Sequence, residues 1–238
     1  MVRLFYTEVN ETGPFSRPQA LHKAAHEMLR QCVLSCMTGI TGQSPHAVRL
    51  ELGYGKHGKP YLRSHPAFCV SLSHAGNIAL CAISEAEIGA DVQDHRDMPP
   101  ARILRIANRF YAPPERDLLA AVKDPAEQKA LFFRLWAAKE AYIKLTGRGI
   151  SEDLSGFAAD PDAMCVRSVP ADNGNGQVSG FLSEPFSLPG YSIMLCTEER
   201  APRAEVFYAE LDETFTAVTT VPQTQSPGTA PVICGKTP

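Results

Sequence analysis

No stretch of this 238-residue chain carries more than six apolar residues in a row. That run, Ile78 to Ile83, falls far short of the roughly 20 residues that a membrane-spanning helix needs. Nor is there an excess of one charge: 23 Lys and Arg stand against 26 Asp and Glu, for a net charge of -3. Such a balance makes no field that would gather a polyanion, so neither a membrane nor a nucleic acid is an expected partner, and any phosphate ligand must be held locally. Glycine (17) and proline (19) are too few for a low-complexity or fibrous chain; hydrophobic residues at 44% and charged residues at 21% describe a globular one. The seven cysteines are odd in number and mostly lie inside apolar runs such as Leu80-Cys81-Ala82, which argues for buried, reduced thiols and a cytoplasmic protein rather than a disulfide framework. Cys32 and Cys36 share a helix face, but no second pair of ligands stands at zinc-site spacing. A signal peptide is not expected either: Glu8 interrupts the first apolar stretch, which reads as a first strand.

What is present divides into two parts. The spacing of Leu21, Ala24, Ala25, Met28, Leu29, Cys32, Val33 and Cys36 predicts an amphipathic helix over Pro18 to Met37. Phe68 to His74 and Ile78 to Ile83 read as short strands about a Gly76-Asn77 turn, and Ile88 to Gln93 as a third. Met98-Pro99-Pro100 is a natural seam before a second helical stretch. From Pro125 to Thr146 runs the clearest helix, with proline near its start and Gly147 placed as its C-cap. Gly190 to Glu199 resembles Gly76 to Glu85, each a Gly followed by a buried strand containing Leu-Cys, which hints at an internal duplication. The expected division is an N-terminal half at 1–98, a C-terminal half at 99–213, and an uncharged tail at 214–238 that predicts disorder.

Chemistry gathers in three places. On the long helix Trp136, Glu140 and Lys144 stand at i, i+4 and i+8, so an aromatic, an acid and a base share one stripe; an exposed Glu-to-Lys pair accounts for this equally well. Along the third strand, period-2 alternation turns Asp91 and Gln93 to one face, though an Asp at a strand end is also a common turn or cap residue. Taken together, one carboxylate from a strand and one from a helix form the kind of oxygen set that Mg²⁺ accepts. In Ser71-Leu72-Ser73-His74 neighbouring side chains point apart and G-x-S-x-G is absent, which speaks against a Ser/His nucleophile. A hydroxyl beside an imidazole ahead of a glycine turn suits phosphate instead, and Lys59, in the Gly58-Lys59-Pro60 turn, can add a cation.

These residues resemble the large surfactin-type class of 4′-phosphopantetheinyl transferases. Four motifs match in order: Gly58-Lys59-Pro60-Tyr61, Ser71 to His74, Ile88-Gly89-Ala90-Asp91-Val92, and Trp136 to Lys144 with Gly147 and Gly149. Arg109 to Glu115 also looks like the segment that family carries before its long helix. The resemblance implies an α+β fold of two similar halves about a pseudo-two-fold axis, a monomer with an internal pseudo-dimer. It implies transfer of the 4′-phosphopantetheine arm of coenzyme A to a serine of an apo acyl or peptidyl carrier protein. By motif, Asp91, Glu140 and the neighbouring Gln93 would face Mg²⁺, while Lys59, Ser73, His74 and Lys144 would hold the coenzyme A phosphates. Lys23 would be a further candidate for the 3′-phosphate, and Glu140 a general base. Gln93 departs from the family, many of whose members carry a Glu there; a weaker metal site, or a relative that binds without turning over, is the alternative this raises.

Overall fold

The computed structural model describes residues 1–9, 17–41, 50–149, 153–169, 176–200, 204–212 and 217–223. Strand β1 (Arg3–Glu8) leads to helix α1 (Arg17–Thr41), then to β2 (Leu52–Tyr54), β3 (Pro60–Leu62), β4 (Cys69–Ala75), β5 (Ile78–Ser84) and β6 (Ile88–Asp94). Helices α2 (Pro100–Phe110), α3 (Pro113–Ala121) and α4 (Pro125–Thr146) follow. The chain continues with β7 (Phe157–Asp160), β8 (Cys165–Ser168), β9 (Val178–Ser183), β10 (Tyr191–Thr197), β11 (Glu205–Leu211) and β12 (Ala217–Gln223). The fold is α+β. A seven-stranded sheet runs β12-β11-β1-β5-β4-β3-β2 and a five-stranded sheet β6-β10-β9-β8-β7.

Burial explains the layering. Strand β5 has no polar face because both its sides are covered: Cys81 and Ile83 meet Met28, Leu29, Cys32 and Val33 of α1, while Ile78, Leu80 and Ala82 meet Ile88, Ala90 and Val92 of β6. The two sheets therefore face each other across a shared apolar core, α1 covers the outer face of the larger sheet, and α2, α3 and α4 cover that of the smaller one through Met194, Cys196 and Val166. The expected helices at Pro18 to Met37 and Pro125 to Thr146 are present, the first longer than its apolar spacing indicates. Helix α4 starts where the Asp124 carboxylate accepts from the N–H groups of Ala126 and Glu127 and stops at Gly147, whose φ of 66° is the left-handed conformation glycine adopts freely. Gly76 and Gly190, also at positive φ, stand before the buried strands β5 and β10, as the internal similarity predicts.

Two expectations need correction. The seam near residue 98 does not separate the sheets: β6, from the first half, is an edge of the five-stranded sheet against β10, whereas β11, from the second, runs parallel to β1 in the seven-stranded sheet. The halves interlock. Nor is the tail wholly without structure, because β12 pairs with β11 from Val206 to Leu211 and supplies the hydrogen bonds that β11 would otherwise lack; residues 224–238 lie outside the described residues. Truncation after residue 216 should therefore lower Tm, by about 2–4 °C for each kcal/mol of pairing lost in a chain of this size, which thermal melts of both forms will measure. No helix among the described residues is long and apolar enough to cross a membrane.

Candidate active site

Strand β6 and helix α4 build the site between them. On β6, Ala90 and Val92 point into the core between the sheets, so Gly89, Asp91 and Gln93 face α4. Gly89 sets the approach: a side chain there would overlap the Ala141 carbonyl oxygen and stand 2.5 Å from the Leu145 nitrogen, so the helix rests on bare backbone. That contact brings Glu140 and Lys144, one turn apart on α4, over the strand that carries Asp91.

Asp91 is buried and held by three donors. Its Oδ1 accepts from the Ser73 hydroxyl (2.7 Å) and the Lys144 ammonium (2.6 Å), and its Oδ2 from the Gln93 amide (2.7 Å). Lys144 also donates to the Leu72 and Ala90 carbonyl oxygens, both at 3.1 Å, so all three of its N–H groups are used. Glu140, half-buried and in no hydrogen bond among the described residues, has its carboxyl pushed up by burial and by the nearby Asp91 charge, with Lys144 pulling the other way. Two carboxylates that repel each other, only one of them paired with an ammonium, leave an unmet demand for positive charge.

The structure places Asp91, Gln93, Lys144 and Ser73 in one hydrogen-bonded group with Glu140 beside it, and it gives several of them tasks other than the expected ones. Ser73 has its proton committed to Asp91 and accepts from the Val92 N–H (3.2 Å), so it orients the carboxylate and has no donor left for a phosphate. Gln93 turns its amide nitrogen to Asp91, the strongest acceptor within reach, and so acts here as a donor rather than an oxygen ligand. With an amide in the third position, no cluster of three His, Cys, Asp or Glu side chains among the described residues is spaced to hold a metal ion. Two carboxylates still fit a hard cation that draws its other oxygens from water and substrate. Lys144 neutralises Asp91 and ties β4 to β6. Lys59 lies along the end of α4, donates to the Leu145 carbonyl oxygen (2.8 Å) and pairs with Glu87, so it caps the helix.

His74 stays at the rim with an exposed edge, where partial burial and the positive charges of Lys144 and His22 hold its imidazole below the ordinary range. Lys23 is exposed on α1, beside His22. Sequence reasoning missed two parts of the scaffold. Glu115 and Lys139 form a fully buried ion pair (2.7 Å), burial pushing the acid up and the amine down; Glu115 also accepts from the Ala112 and Ala159 N–H groups, and Lys139 donates to the Phe157 carbonyl oxygen. This pair fastens α3, α4 and β7 together one residue before Glu140. The other part is Ser71, whose only sequence signal is that it shares a strand face with Ser73.

A family model described as the 4′-phosphopantetheinyl transferase superfamily matches residues 87–188, the stretch that holds β6 and α4. The chain is 37% identical over 155 residues to the 4′-phosphopantetheinyl transferase psf-1 of Bacillus pumilus, covering 63% of this chain and 61% of that one. It is 36% identical over 156 residues to HetI of a Nostoc species, covering 63% and 64%, and 31% identical over 144 residues to Sfp of Bacillus subtilis, covering 59% and 60%. Each match spans about three fifths of the relative's length. The part of the chain that carries Asp91, Glu140 and Lys144 is thus the part that is similar to 4′-phosphopantetheinyl transferases, psf-1 and Sfp among them.

Proposed function

We propose that the chain transfers the 4′-phosphopantetheine arm of coenzyme A to a serine of an apo acyl or peptidyl carrier protein, giving holo carrier and 3′,5′-ADP, with Mg²⁺ as the metal. The observation that carries this reading is the Asp91–Lys144 ion pair joining β6 to α4, with the Glu140 carboxyl one helical turn from Lys144: transfer of a phosphoryl group is mostly positioning and charge stabilisation, and this site offers both. Asp91 and Glu140 would hold Mg²⁺, which when bound supplies positive charge at the pyrophosphate oxygens. Ser73 and Gln93 keep the Asp91 carboxylate aimed. His74, at the rim, is free to donate to a phosphate oxygen. The serine hydroxyl forms a bond to the β-phosphorus as the bond to the 3′,5′-ADP oxygen breaks, and Glu140, the carboxylate in no hydrogen bond among the described residues, takes the hydroxyl proton.

The deciding experiment mixes the protein with coenzyme A, Mg²⁺ and a set of apo carriers and looks by mass spectrometry for a carrier that has gained one arm. Coenzyme A binding with no carrier modified, at any Mg²⁺ concentration, would favour a non-catalytic relative, the alternative that Gln93 raises.

His74→Ala should raise KM for coenzyme A by about 10–100-fold, the worth of one charge-assisted contact, and leave KM for the carrier unchanged. A phosphate beside the imidazole favours its charged form, so the wild-type advantage should be present at low pH and fade as pH rises through the titration of the liganded imidazole. Michaelis constants measured across pH for both proteins check this; a shift in the carrier constant would put His74 at the protein interface instead.

A further inference from the structure

Strand β6 is the edge of its sheet, and the side of β4 facing it is paired with β3 at Cys69 alone. Two strand edges thus lie side by side without a backbone ladder between them. Three backbone groups of β6 are met by side chains instead, the Ala90 N–H, the Ala90 carbonyl oxygen and the Val92 N–H. The Ser71 hydroxyl accepts the Ala90 N–H (2.8 Å) and lies 3.4 Å from the Ala90 carbonyl oxygen, to which it donates. Lys144 donates to that same carbonyl oxygen and to the Leu72 oxygen of β4, and Ser73 accepts the Val92 N–H. Side-chain groups thus take the place of a peptide ladder here, and Lys144 bridges the two strands through its bonds to a carbonyl oxygen of each.

Ser71 is 2% exposed and touches neither of the facing carboxylates, yet it grips both polar groups of the residue before Asp91. We propose that Ser71 is a positioning residue for the transfer: by holding the Ala90 peptide against β4 it sets where the Asp91 carboxylate and the Lys144 ammonium stand relative to Glu140. The inference rests on the function proposed above. Its reasoning is local: Ala90 shares its carbonyl oxygen between Ser71 and Lys144, so losing the hydroxyl leaves a buried N–H without an acceptor and frees the peptide to rotate, which moves the next side chain and the lysine together.

The test compares Ser71→Ala, Ser71→Cys, which keeps the volume but is a poor acceptor, and Ser71→Thr, which keeps the hydroxyl. Four quantities are measured for each: amide exchange at Ala90, Mn²⁺ binding by calorimetry, kcat with KM for coenzyme A, and Tm. In the Ala and Cys variants Ala90 should exchange faster, Mn²⁺ should bind about 10–100-fold more weakly as for loss of a group that orients a ligand, and kcat should fall with KM little changed. The Thr variant should stay near wild type in all four. Folded Ala and Cys variants with wild-type Mn²⁺ affinity and kcat, even with a lowered Tm, would reduce Ser71 to a structural residue and overturn the proposal. If instead the Ala variant does not fold, the Cys variant decides by the same readings. Wild-type protein that neither binds Mn²⁺ nor modifies a carrier would overturn the functional reading and this inference with it, whereas an active wild type matched by its variants would overturn this inference alone.

Discussion

Glu140→Gln protein is expected to fold, to melt at or slightly above the wild-type temperature, and to transfer the arm at least about a hundredfold more slowly, the lower end of a general-base effect. The loss would follow from removing both a charge that would hold the metal and the group proposed to take the hydroxyl proton. The gain in stability follows from the same geometry. Burial and the Asp91 charge raise the proton affinity of the Glu140 carboxyl in the folded state, so folding binds protons there more tightly than the unfolded chain does. Stability from this group is therefore present at low pH and is lost as pH rises through its raised titration; glutamine, which does not ionise, avoids that loss. Melting both proteins from acid to neutral pH should show the variant's advantage appear as pH rises, alongside rate measurements at saturating coenzyme A. Turnover near the wild-type rate in a folded variant would remove Glu140 from the centre of the mechanism.

Gly89→Ala should be the most damaging change to a residue that carries no chemistry. The added methyl cannot move away, because what it meets is the backbone of α4 at Ala141 and Leu145 rather than the end of a flexible side chain. Helix α4 must be pushed off β6, at a cost of about 1–3 kcal/mol or more for overpacking. Activity should suffer more than stability: a displacement of about 1 Å between reacting groups is worth roughly a hundredfold in rate, and here it would separate Glu140 and Lys144 from Asp91. Denaturant unfolding combined with transfer kinetics tests this, the expected sign being a rate loss that persists at temperatures where the variant is fully folded. A variant with both stability and rate unchanged would mean that the helix does not rest on Gly89.

Local patterns made much of this legible. The 3.6-residue period of α1 and the Pro125 and Gly147 signals of α4 were sufficient because capping and periodicity act within a few residues. The same holds for Asp91 and Gln93 on one face of β6, since alternation is a property of the strand itself. Strands β7, β8 and β9 carry weaker patterns, and the uncharged sequence of β12 reads as disorder until β11 offers it an edge. That pairing joins segments far apart in the chain, which no local signal can announce.

Residue identity by itself determined which groups could do chemistry: a strand carboxylate, a helix carboxylate, three lysines, a serine and a histidine, most of them in motifs that resemble those of the 4′-phosphopantetheinyl transferases. Tertiary structure decided what each one does. Lys144 and Ser73 are phosphate-binding candidates by type, but the gap between β4 and β6 turns their donors to Asp91 and to strand edges, because buried backbone groups must be satisfied before any ligand arrives. Lys59 is drawn to the end of α4 by the carbonyl dipoles there and by Glu87. Lys139, beside Glu140 in sequence, turns aside into a buried pair with Glu115, since neighbours on a helix are about 100° apart.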